Sequence, residues 1–558
     1  MRVAVIGGGP SGLVTLKYLA RAHLSLDCDA IEARLFELED SIGGAFTHRA
    51  YEDAELVSSK QLTTFSDFRC CADRDFLSAS DYVQYLHDYY SKFRLWPSIE
   101  LGAEVRNIQG RSPQGYVVEY AKKGGEVLTW RCDAVAVCSG LHREPNLPTI
   151  PGLNHVPEVM HSSKFKTKSQ FGVNKTVMIV GSGETGADVA YLAVNSPTKQ
   201  VLMCHKDGFH FAPKVAHSAY VKPNPSEPGI PIDVSRANLF DTTYVHQALR
   251  NSMILWEYYN YYIKVLLWVC SARPIPLAIR LEICSSADAD SRHAWETGRS
   301  RTATKRIDDG GVVEFVDNGR PEYERIKLQT IQPDVIVLCT GYQQTFPFLD
   351  DKLKVNTNHL SSHVRGIWRR EQPTMGFIGF VRPSLGAIPP LAEMQAQLWV
   401  LNLVAPRKLP VLNPGDEIHY KLHSKSADRV TYGVDHESYA YQLALDMNSA
   451  PGIVDIWRIT RTTQILTMHS MCRLLIIWAF GAHFNTKFRL VGPWVWDGAI
   501  EVLVSDEFWH TITRRPLLFG HLLVSILPIA IFAPLSMMFL LYHSLLSYCR
   551  PLVQSVAL

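Results

Sequence analysis

Three apolar runs of four residues, each ending in a glycine-rich turn, set the pattern of this chain. Val3–Ile6 leads into a turn at 7–12, Val177–Val180 leads into a turn at 181–186, and Val335–Leu338 leads into a turn at 339–342. A helix-forming stretch follows each of the first two turns. The repeated order of strand, glycine turn and helix predicts an α/β protein with doubly wound domains and parallel sheets.

The first turn matches the pattern G-x-G-x-x-G with the residues Gly7, Gly8, Gly9, Pro10, Ser11 and Gly12. Gly7 permits the tight bend, Gly9 lets the backbone approach a pyrophosphate, and Gly12 allows close contact between helix and strand. The phosphates then lie at the helix N-terminus, where free N–H groups favour negative charge. Glu37 ends the next predicted strand, 25 residues after Gly12, and its carboxylate is suited to the ribose hydroxyls. These residues predict a dinucleotide site.

A second pair of glycines stands directly after the ribose acid, in Ile42-Gly43-Gly44-Ala45-Phe46. Such a segment indicates a loop that passes close over a large planar cofactor, and it assigns Gly44, Ala45 and Phe46 to cofactor binding. A flavin dinucleotide needs this second contact, whereas nicotinamide sites usually lack it. The first site is therefore predicted to bind FAD.

The second turn has the same pattern, with Gly181, Ser182, Gly183, Glu184, Thr185 and Gly186, and Asp188 follows in the helix. The next predicted strand, Val201–Cys204, ends in His205 and Lys206 instead of an acid. An acid would repel a ribose 2′-phosphate and a cation would attract it, so this site is predicted to bind NADPH. The alternative for Lys206 is an ordinary solvated lysine.

Composition narrows the class of protein. The 558 residues give a prior of about three to four domains at roughly 150 residues each. Lysine and arginine number 56 against 54 acids, a net charge of +2, which makes nucleic-acid binding by a basic face unlikely and no such partner is expected. The eleven cysteines show no C-x-x-C pair and no metal-type spacing, so reduced thiols in a cytosol-facing protein and no metal are expected.

Two stretches outside the glycine motifs are also informative. An aromatic run at Ile254–Val269 lies within a predicted helical insertion at about 214–300, where it serves as core or, alternatively, dips into a membrane or lines a substrate site. Leu517–Leu541 has 25 residues without a charged side chain and follows Arg514 and Arg515. As a helix it would reach about 37 Å, enough to span a bilayer core of ~30 Å.

The C-terminal stretch is therefore predicted to be a single-pass membrane anchor at 517–541, in the endoplasmic reticulum with the catalytic domains in the cytosol. A helix lying in one leaflet and a buried core helix are the alternatives.

The sequence resembles the flavin-containing monooxygenases, among the class B flavoprotein monooxygenases, and fungal-type members in particular. The resemblance lies in the order of the two glycine motifs, in Ser59-Lys60 with Phe65-Ser66-Asp67-Phe68, in the turn containing Gly341, and in Leu385–Pro390. It implies that NADPH reduces FAD, that O2 adds as a flavin C4a-hydroperoxide, and that a nitrogen, sulfur or carbonyl group of a small organic substrate is oxygenated. It also implies a role in natural-product biosynthesis.

The chain departs from the family at two places. Of the family fingerprint F-x-G-x-x-x-H-x-x-x-(Y/W), only His161 is retained. Family members commonly place an Asn that contacts flavin and nicotinamide at the position of Val57. Val57 and Ser58 are therefore assigned to cofactor contact, and Ser58, Ser59 and Lys60 are the polar candidates for the catalytic role.

Together these features predict two Rossmann-like dinucleotide-binding domains, one inserted in the other, with a helical insertion and a C-terminal hydrophobic helix. FAD is assigned to 1–165 and 330–450, NADPH to 166–330, and a further C-terminal region to 451–516. Two other functions remain open. The first, which Val57 favours, is an NADPH oxidase or dehydrogenase that does not stabilise the hydroperoxide. The second is a non-catalytic flavoprotein scaffold at a membrane.

Overall fold

The computed structural model describes most of the chain, namely residues 1–110, 115–122, 124–205, 214–216, 229–235, 249, 299–301, 304–317, 321–353, 363–410, 420–421, 433–462, 467–515 and 526–556. The aromatic run at 254–269 and most of the predicted helical insertion lie outside these residues. Lys206 lies outside them as well.

The strands are, in chain order, β1 (Arg2–Ile6), β2 (Glu32–Phe36), β3 (Ile99–Glu100), β4 (Ala103–Gly110), β5 (Tyr116–Lys122), β6 (Val127–Cys132), β7 (Ala134–Val137), β8 (Glu144–Pro145), β9 (Glu158–His161), β10 (Thr176–Val180), β11 (Gln200–Cys204), β12 (Val215–Ala216), β13 (Ile230–Pro231), β14 (Arg299–Arg301), β15 (Thr304–Ile307), β16 (Val313–Phe315), β17 (Val335–Leu338), β18 (Tyr342–Gln343), β19 (Trp368–Arg369), β20 (Gln372–Phe377), β21 (Arg382–Pro383) and β22 (Gly433–Val434).

The α-helices are α1 (Pro10–Ser25), α2 (Ala45–His48), α3 (Lys60–Thr63), α4 (Ala79–Lys92), α5 (Glu184–Val194), α6 (Pro321–Ile326), α7 (Ile388–Val404), α8 (His436–Asp446), α9 (Ile453–Thr462), α10 (Met468–Phe480), α11 (Ala499–Leu503), α12 (Asp506–Thr513) and α13 (Leu527–Val556).

Two sheets carry the architecture, and their strands are parallel except for the antiparallel β19–β20 pair at one edge of the first sheet. The first has the strand order β19-β20-β7-β1-β2-β3, and its β1 pairs in parallel with both β2 and β7. The second has the order β14-β11-β10-β17-β9, and all of its pairings are parallel. The predicted α/β architecture with parallel sheets is therefore confirmed. The antiparallel β4-β5-β6 sheet packs against the first sheet through Ile108, Val118 and Trp130.

Helices α1, α4, α7 and α8 cover the first sheet because their apolar side chains are buried together with those of its strands. Buried side chains of α1, α4, α7 and α8, among them Leu16, Tyr82, Trp399 and Leu443, form one cluster with the apolar residues of β1 and β2. The helices α9 to α12 build a separate apolar cluster around Ile456, Leu474 and Phe508, which also contains Leu62 of α3 and Ile230 of β13. The C-terminal region thus rests on the two segments that carry Ser59 and Asp233.

A buried set of charges joins the C-terminal region to α1. The Arg489 guanidinium donates to Asp67 Oδ2 at 3.2 Å, and Lys17 Nζ of α1 lies 2.5 Å from the same oxygen. Burial opposes ionisation of Asp67, but Lys17 and Arg489 outweigh it and hold the pKa of that carboxyl below its usual range. Burial lowers the pKa of Lys17, which Asp67 partly offsets.

Glu393 of α7 completes this set from the other side. It accepts hydrogen bonds from Tyr18 Oη at 2.8 Å and from Asn485 Nδ2 at 2.9 Å, and Arg489 Nη1 donates to Tyr18 Oη at 2.6 Å. Glu393 is completely buried, so these bonds replace water for a group that would otherwise be costly to bury. The set thereby fixes α1, α7 and the C-terminal region to one another.

The predicted membrane anchor is wrong. Helix α13 spans Leu527–Val556 and so continues past the predicted end of the anchor through Tyr542, His543 and Ser544, while residues 517–525 lie outside the described part of the chain. Within the part of the chain that the structure describes, no helix combines the length and apolarity that crossing a bilayer requires. The endoplasmic reticulum location and the membrane partner inferred from the anchor lose their basis.

The two arginines before the predicted anchor bind protein groups. Arg515 is buried and donates to the carbonyl oxygens of Thr511, Phe480 and Val234. Arg514 forms an ion pair with Asp75 at 2.6 Å. Phe532 of α13 is itself buried against Leu249. Both arginines are therefore engaged with groups of the protein itself.

We predict that Arg489→Met destabilises the fold by about 3–5 kcal/mol, because it removes the cation beside the buried Glu393 and leaves Asp67 with Lys17 alone. Urea unfolding of the holoprotein measures the change. Lys305→Met is the matched control, since it removes an exposed ion pair with Glu314. A control loss above about 1 kcal/mol, or no loss in Arg489→Met, would contradict this view of the buried set.

Candidate functional site

The first glycine turn is shaped by contacts that leave no room for side chains. Gly7 has a φ of 111°, and a Cβ there would lie 2.6 Å from the carbonyl oxygen of Cys138. A Cβ at Gly12 would lie 1.8 Å from the carbonyl oxygen of Gly7. The fold itself therefore requires glycine at both positions.

Gly9 differs from these two glycines because the protein leaves space beside it. The nearest atom to a Cβ at Gly9 would be Gly44 Cα, 3.7 Å away. The φ of Gly9 is −75°, which any residue can adopt. Helix α1 begins at Pro10, and no side chain caps it. An open approach to Gly9 in front of an uncapped helix N-terminus is suited to a phosphate group.

Glu37 lies beside this turn, as the sequence predicts, one residue after β2 ends. Its Oε2 accepts a hydrogen bond from Gly8 N–H, and its Oε1 accepts one from Glu39 N–H at 2.9 Å. Burial raises the pKa of Glu37, and these two N–H groups partly oppose the rise. The carboxylate is thus fixed against the turn, with lone pairs left on both oxygens for further donors.

The second FAD segment passes over the same turn. Gly43 N–H donates to Gly8 O at 3.0 Å, and Gly44, at a φ of 57°, precedes α2 with Ala45 as its first residue. Phe46 packs edge-on against Tyr82 with ring centroids 4.6 Å apart. The structure therefore brings the two predicted FAD segments together.

The proposed catalytic residues are engaged in internal contacts. Ser58 Oγ lies 2.9 Å from Thr63 Oγ1, Ser59 N–H donates to Asp233 Oδ2 at 2.7 Å, and Lys60 Nζ donates to the carbonyl oxygen of Ala72. Val57 is 45% exposed. Among residues 57–60, the exposed side chain is therefore the apolar Val57.

Asp233 is a buried residue of this region that the sequence reasoning missed. Burial raises its pKa to about 6, and the contacts from Ser59 and the charge of the fully buried His436 partly oppose the rise. Both ring nitrogens of His436 and Asp233 Oδ1 lack a hydrogen-bond partner among the described residues. A lone carboxylate within the apolar run Ile230–Val234 was the sequence signal for it.

The second glycine turn repeats the geometry of the first. Gly181 has a φ of 118°, and a Cβ there would lie 2.3 Å from the carbonyl oxygen of Cys339, while a Cβ at Gly186 would lie 2.2 Å from the carbonyl oxygen of Gly181. A Cβ at Gly183 would meet no described atom within 4 Å. The spacing therefore has the same physical meaning in both turns.

Helix α5 follows Gly183 without a side-chain cap, as α1 follows Gly9. Glu184 is exposed at its first position, and Ser182 and Thr185 are half-buried beside it. The backbone N–H groups at the N-terminus of α5 therefore have no side-chain cap, and they lie next to the space that Gly183 leaves. This arrangement fits a second dinucleotide.

The two sheets divide the protein into two halves, and Asp188 of α5, in the half built on the second sheet, contacts the half built on the first. Its Oδ2 accepts a hydrogen bond of 2.6 Å from the hydroxyl of Tyr51, which follows α2. Sequence reasoning assigned Asp188 to cofactor binding and gave Tyr51 no role. The structure places this carboxylate at the junction of the two halves.

Gly341 and His161 meet near this junction. Gly341 has a φ of 74°, and its carbonyl oxygen lies 3.1 Å from His161 Nε2 and accepts Asn146 N–H at 2.9 Å. Burial lowers the pKa of His161, and the contact with Gly341 partly opposes the change. His205 is buried directly after β11.

We predict that Asp233→Asn flattens the dependence of stability on pH. The pKa of Asp233 is higher in the folded state, so its contribution to stability is greatest below about pH 4 and falls as the pH rises through 6. The variant keeps an acceptor for Ser59 N–H and should lose about 3 kcal/mol less than the parent between pH 4 and pH 8.

Urea unfolding across this pH range measures the difference. Asp334→Asn is a control of opposite sign, because Thr176 N–H and Lys175 hold the pKa of Asp334 below its usual range. Identical pH profiles for Asp233→Asn and the parent protein would contradict the assignment.

The profile of the FMO-like family of flavin-binding monooxygenase-like proteins matches residues 1–233 and 323–541. The monooxygenase cfoE of Aspergillus candidus is 42% identical, over 99% of this chain and 100% of that protein. The dimethylaniline monooxygenase [N-oxide-forming] 2 of Rattus norvegicus is 26% identical, over 91% of each chain.

Among solved structures, S-allyl-L-cysteine S-oxygenase from Allium sativum superposes with a TM-score of 0.55 at 18% identity, over 83% of this chain and 91% of that one. At this identity the likeness shows the Rossmann-type fold. The family match covers more than half of the chain, and with it the resemblance seen in the sequence is confirmed. This chain belongs to the flavin-containing monooxygenase family and is a flavin-dependent monooxygenase.

Proposed function

We propose that this monooxygenase uses FAD and NADPH and inserts one atom of O2 into a small organic substrate at nitrogen, sulfur or a carbonyl group. The observation that carries the proposal is the duplicated turn, in which Gly9 and Gly183 each leave open space before an uncapped helix. Two sites for pyrophosphates in one chain suit a flavin dinucleotide that receives electrons from a nicotinamide dinucleotide.

The roles of the residues follow from their positions. Gly9 and the N-terminus of α1 would hold the FAD pyrophosphate, Glu37 the adjacent ribose, and Gly44 to Phe46 the flavin side. Gly183 and the N-terminus of α5 would hold NADPH, with His205 and Lys206 for the 2′-phosphate. When bound, FAD supplies the two-electron chemistry that activates O2, and the chain supplies binding, orientation and exclusion of water.

Names of relatives bear on the substrate class. The rat enzyme is named for N-oxide formation and the Allium enzyme for S-oxygenation. A soft nucleophilic nitrogen or sulfur atom is therefore the first substrate class to test on this chain. The higher identity to a fungal monooxygenase, 42% against 26%, leads us to extend the proposal to a substrate from natural-product biosynthesis.

An NADPH oxidase is the second candidate, and the segment 57–60 favours it. Val57 stands where family members commonly have an Asn that contacts flavin and nicotinamide, and its exposed apolar side chain offers no hydrogen-bond donor. Ser58 and Lys60 use their polar groups on Thr63 and Ala72. An oxidase would release the oxygen as hydrogen peroxide.

We predict that Gly9→Ala yields colourless protein that still folds. The added methyl group has room within the protein but occupies the space that a pyrophosphate requires. Gly183→Ala is the matched variant, because its methyl group also has room and lies at the other turn. It should keep the yellow FAD and raise the KM for NADPH. Normal FAD content in Gly9→Ala would show that the first turn is not the flavin site.

We predict that anaerobic NADPH bleaches the flavin absorbance faster than NADH at equal concentration. On admission of oxygen and an amine or thioether, a monooxygenase consumes one NADPH and one O2 for each oxygenated product and water formed. An oxidase instead gives one hydrogen peroxide for each NADPH. Stopped-flow absorbance, together with assays for peroxide and for product, separates these outcomes. A flavin that NADPH does not bleach would contradict both the monooxygenase and the oxidase.

A further inference from the structure

Tyr51, which follows α2 in the half built on the first sheet, extends into the core of the half built on the second sheet. Its ring packs against the buried cluster that includes Val189 and Val337, with its centroid 5.9 Å from that of Phe165. Its hydroxyl donates to Asp188 Oδ2 at 2.6 Å. Tyr51 therefore makes both an apolar and a polar contact across the junction.

The protonation state of Tyr51 keeps its hydroxyl a donor to Asp188. Burial raises the pKa of the Tyr51 phenol, and the neighbouring Asp188 raises it further, so the hydroxyl remains a donor. Burial also raises the pKa of Asp188, and the bond from Tyr51 partly opposes this. Charge-assisted bonds of this kind are shorter and stronger than neutral ones.

Other contacts across this junction are more exposed. Lys168 forms ion pairs with Glu52 and Asp53, and the side chains of Lys168 and Asp53 are 35% and 63% exposed. Such pairs contribute little because water and salt screen them. Lys166 Nζ donates to the carbonyl oxygens of His48 and Ala50.

The position of Tyr51 links the two glycine turns. Gly44, next to Gly9, and Tyr51 are seven residues apart in the chain, and Asp188 lies two residues after Gly186. One short segment thus contacts the first turn at one end and the helix of the second turn at the other. A change in this segment would shift one dinucleotide relative to the other.

We propose that Tyr51 is a positioning residue that, through Asp188, sets the distance between the two bound nucleotides for hydride transfer. The inference rests on the proposed function, in which a hydride passes from NADPH to the flavin and leaves NADP+ and reduced flavin. Such a transfer needs reacting atoms about 3–3.5 Å apart, and small displacements reduce the rate steeply.

The test compares anaerobic flavin reduction at saturating NADPH in the FAD-loaded protein and its variants. Tyr51→Phe keeps the ring and removes the hydroxyl, and we expect a rate constant lower by about tenfold. We expect dissociation constants for FAD and NADPH within about twofold of the parent, because the hydroxyl donates to Asp188 and not to either glycine turn. Asp188→Asn keeps an acceptor and should be slowed less than Asp188→Leu. Lys168→Met, at the same junction but exposed, should match the parent.

Hydrogen exchange gives a readout that does not depend on turnover. In the FAD-loaded protein without NADPH, Tyr51→Phe should increase amide exchange in both 45–56 and α5, and Lys168→Met should leave both unchanged. An unchanged reduction rate or unchanged exchange in Tyr51→Phe would overturn the inference, as would a slowing matched by weaker NADPH binding and a lower Tm. A parent flavin that NADPH does not reduce would overturn the proposed function, and the inference with it.

Discussion

Close approach of two backbone segments at each glycine turn is the constraint on which the two halves of this protein depend. The carbonyl oxygen of Gly7 occupies the position where a side chain at Gly12 would begin, and Gly181 and Gly186 stand in the same relation. Each helix can therefore leave its sheet directly above the end of the central strand. The N-terminus of each helix then points at the space beside Gly9 or Gly183, which no atom of the described residues fills.

Buried carboxylates connect the parts that this geometry creates. Asp188 joins the loop after α2 to α5, Asp233 joins the 229–235 segment to Ser59, and Glu393 joins α7 to Asn485. A carboxylate buried without such partners would cost several kcal/mol. Each pairing therefore favours one arrangement of segments that are far apart in the chain. The site depends on these arrangements, although none of the three carboxylates belongs to a glycine motif.

The features that the sequence predicted correctly have local causes. A strand, a glycine turn and a helix N-terminus lie within about a dozen residues, and the positions of Gly7, Gly9 and Gly12 reflect steric limits that any such turn has. Glu37 was found for the same reason, since β2 must follow α1 and pair with β1. The sheets and the geometry of both glycine turns could therefore be predicted.

The features that the sequence reasoning missed depend on distant partners. Nothing near Tyr51 indicates Asp188, and nothing near Asp233 indicates Ser59. The run at 517–541 gave the wrong prediction because the composition of a run does not fix where a helix begins and ends, and α13 spans Leu527–Val556. Arg515, interpreted as a flank of the anchor, instead donates to three carbonyl oxygens of the protein.

The long separation in sequence between Arg489 and its partners has a consequence for synthesis. Asp67 precedes Arg489 by 422 residues and Tyr18 precedes it by 471. At about 5–20 residues per second, a ribosome needs roughly 20–90 s to make the intervening chain. Throughout that time Asp67 has only Lys17 as its cation, and Tyr18 lacks the donor that Arg489 supplies. The packing around α1 can therefore be completed only after Arg489 has been made.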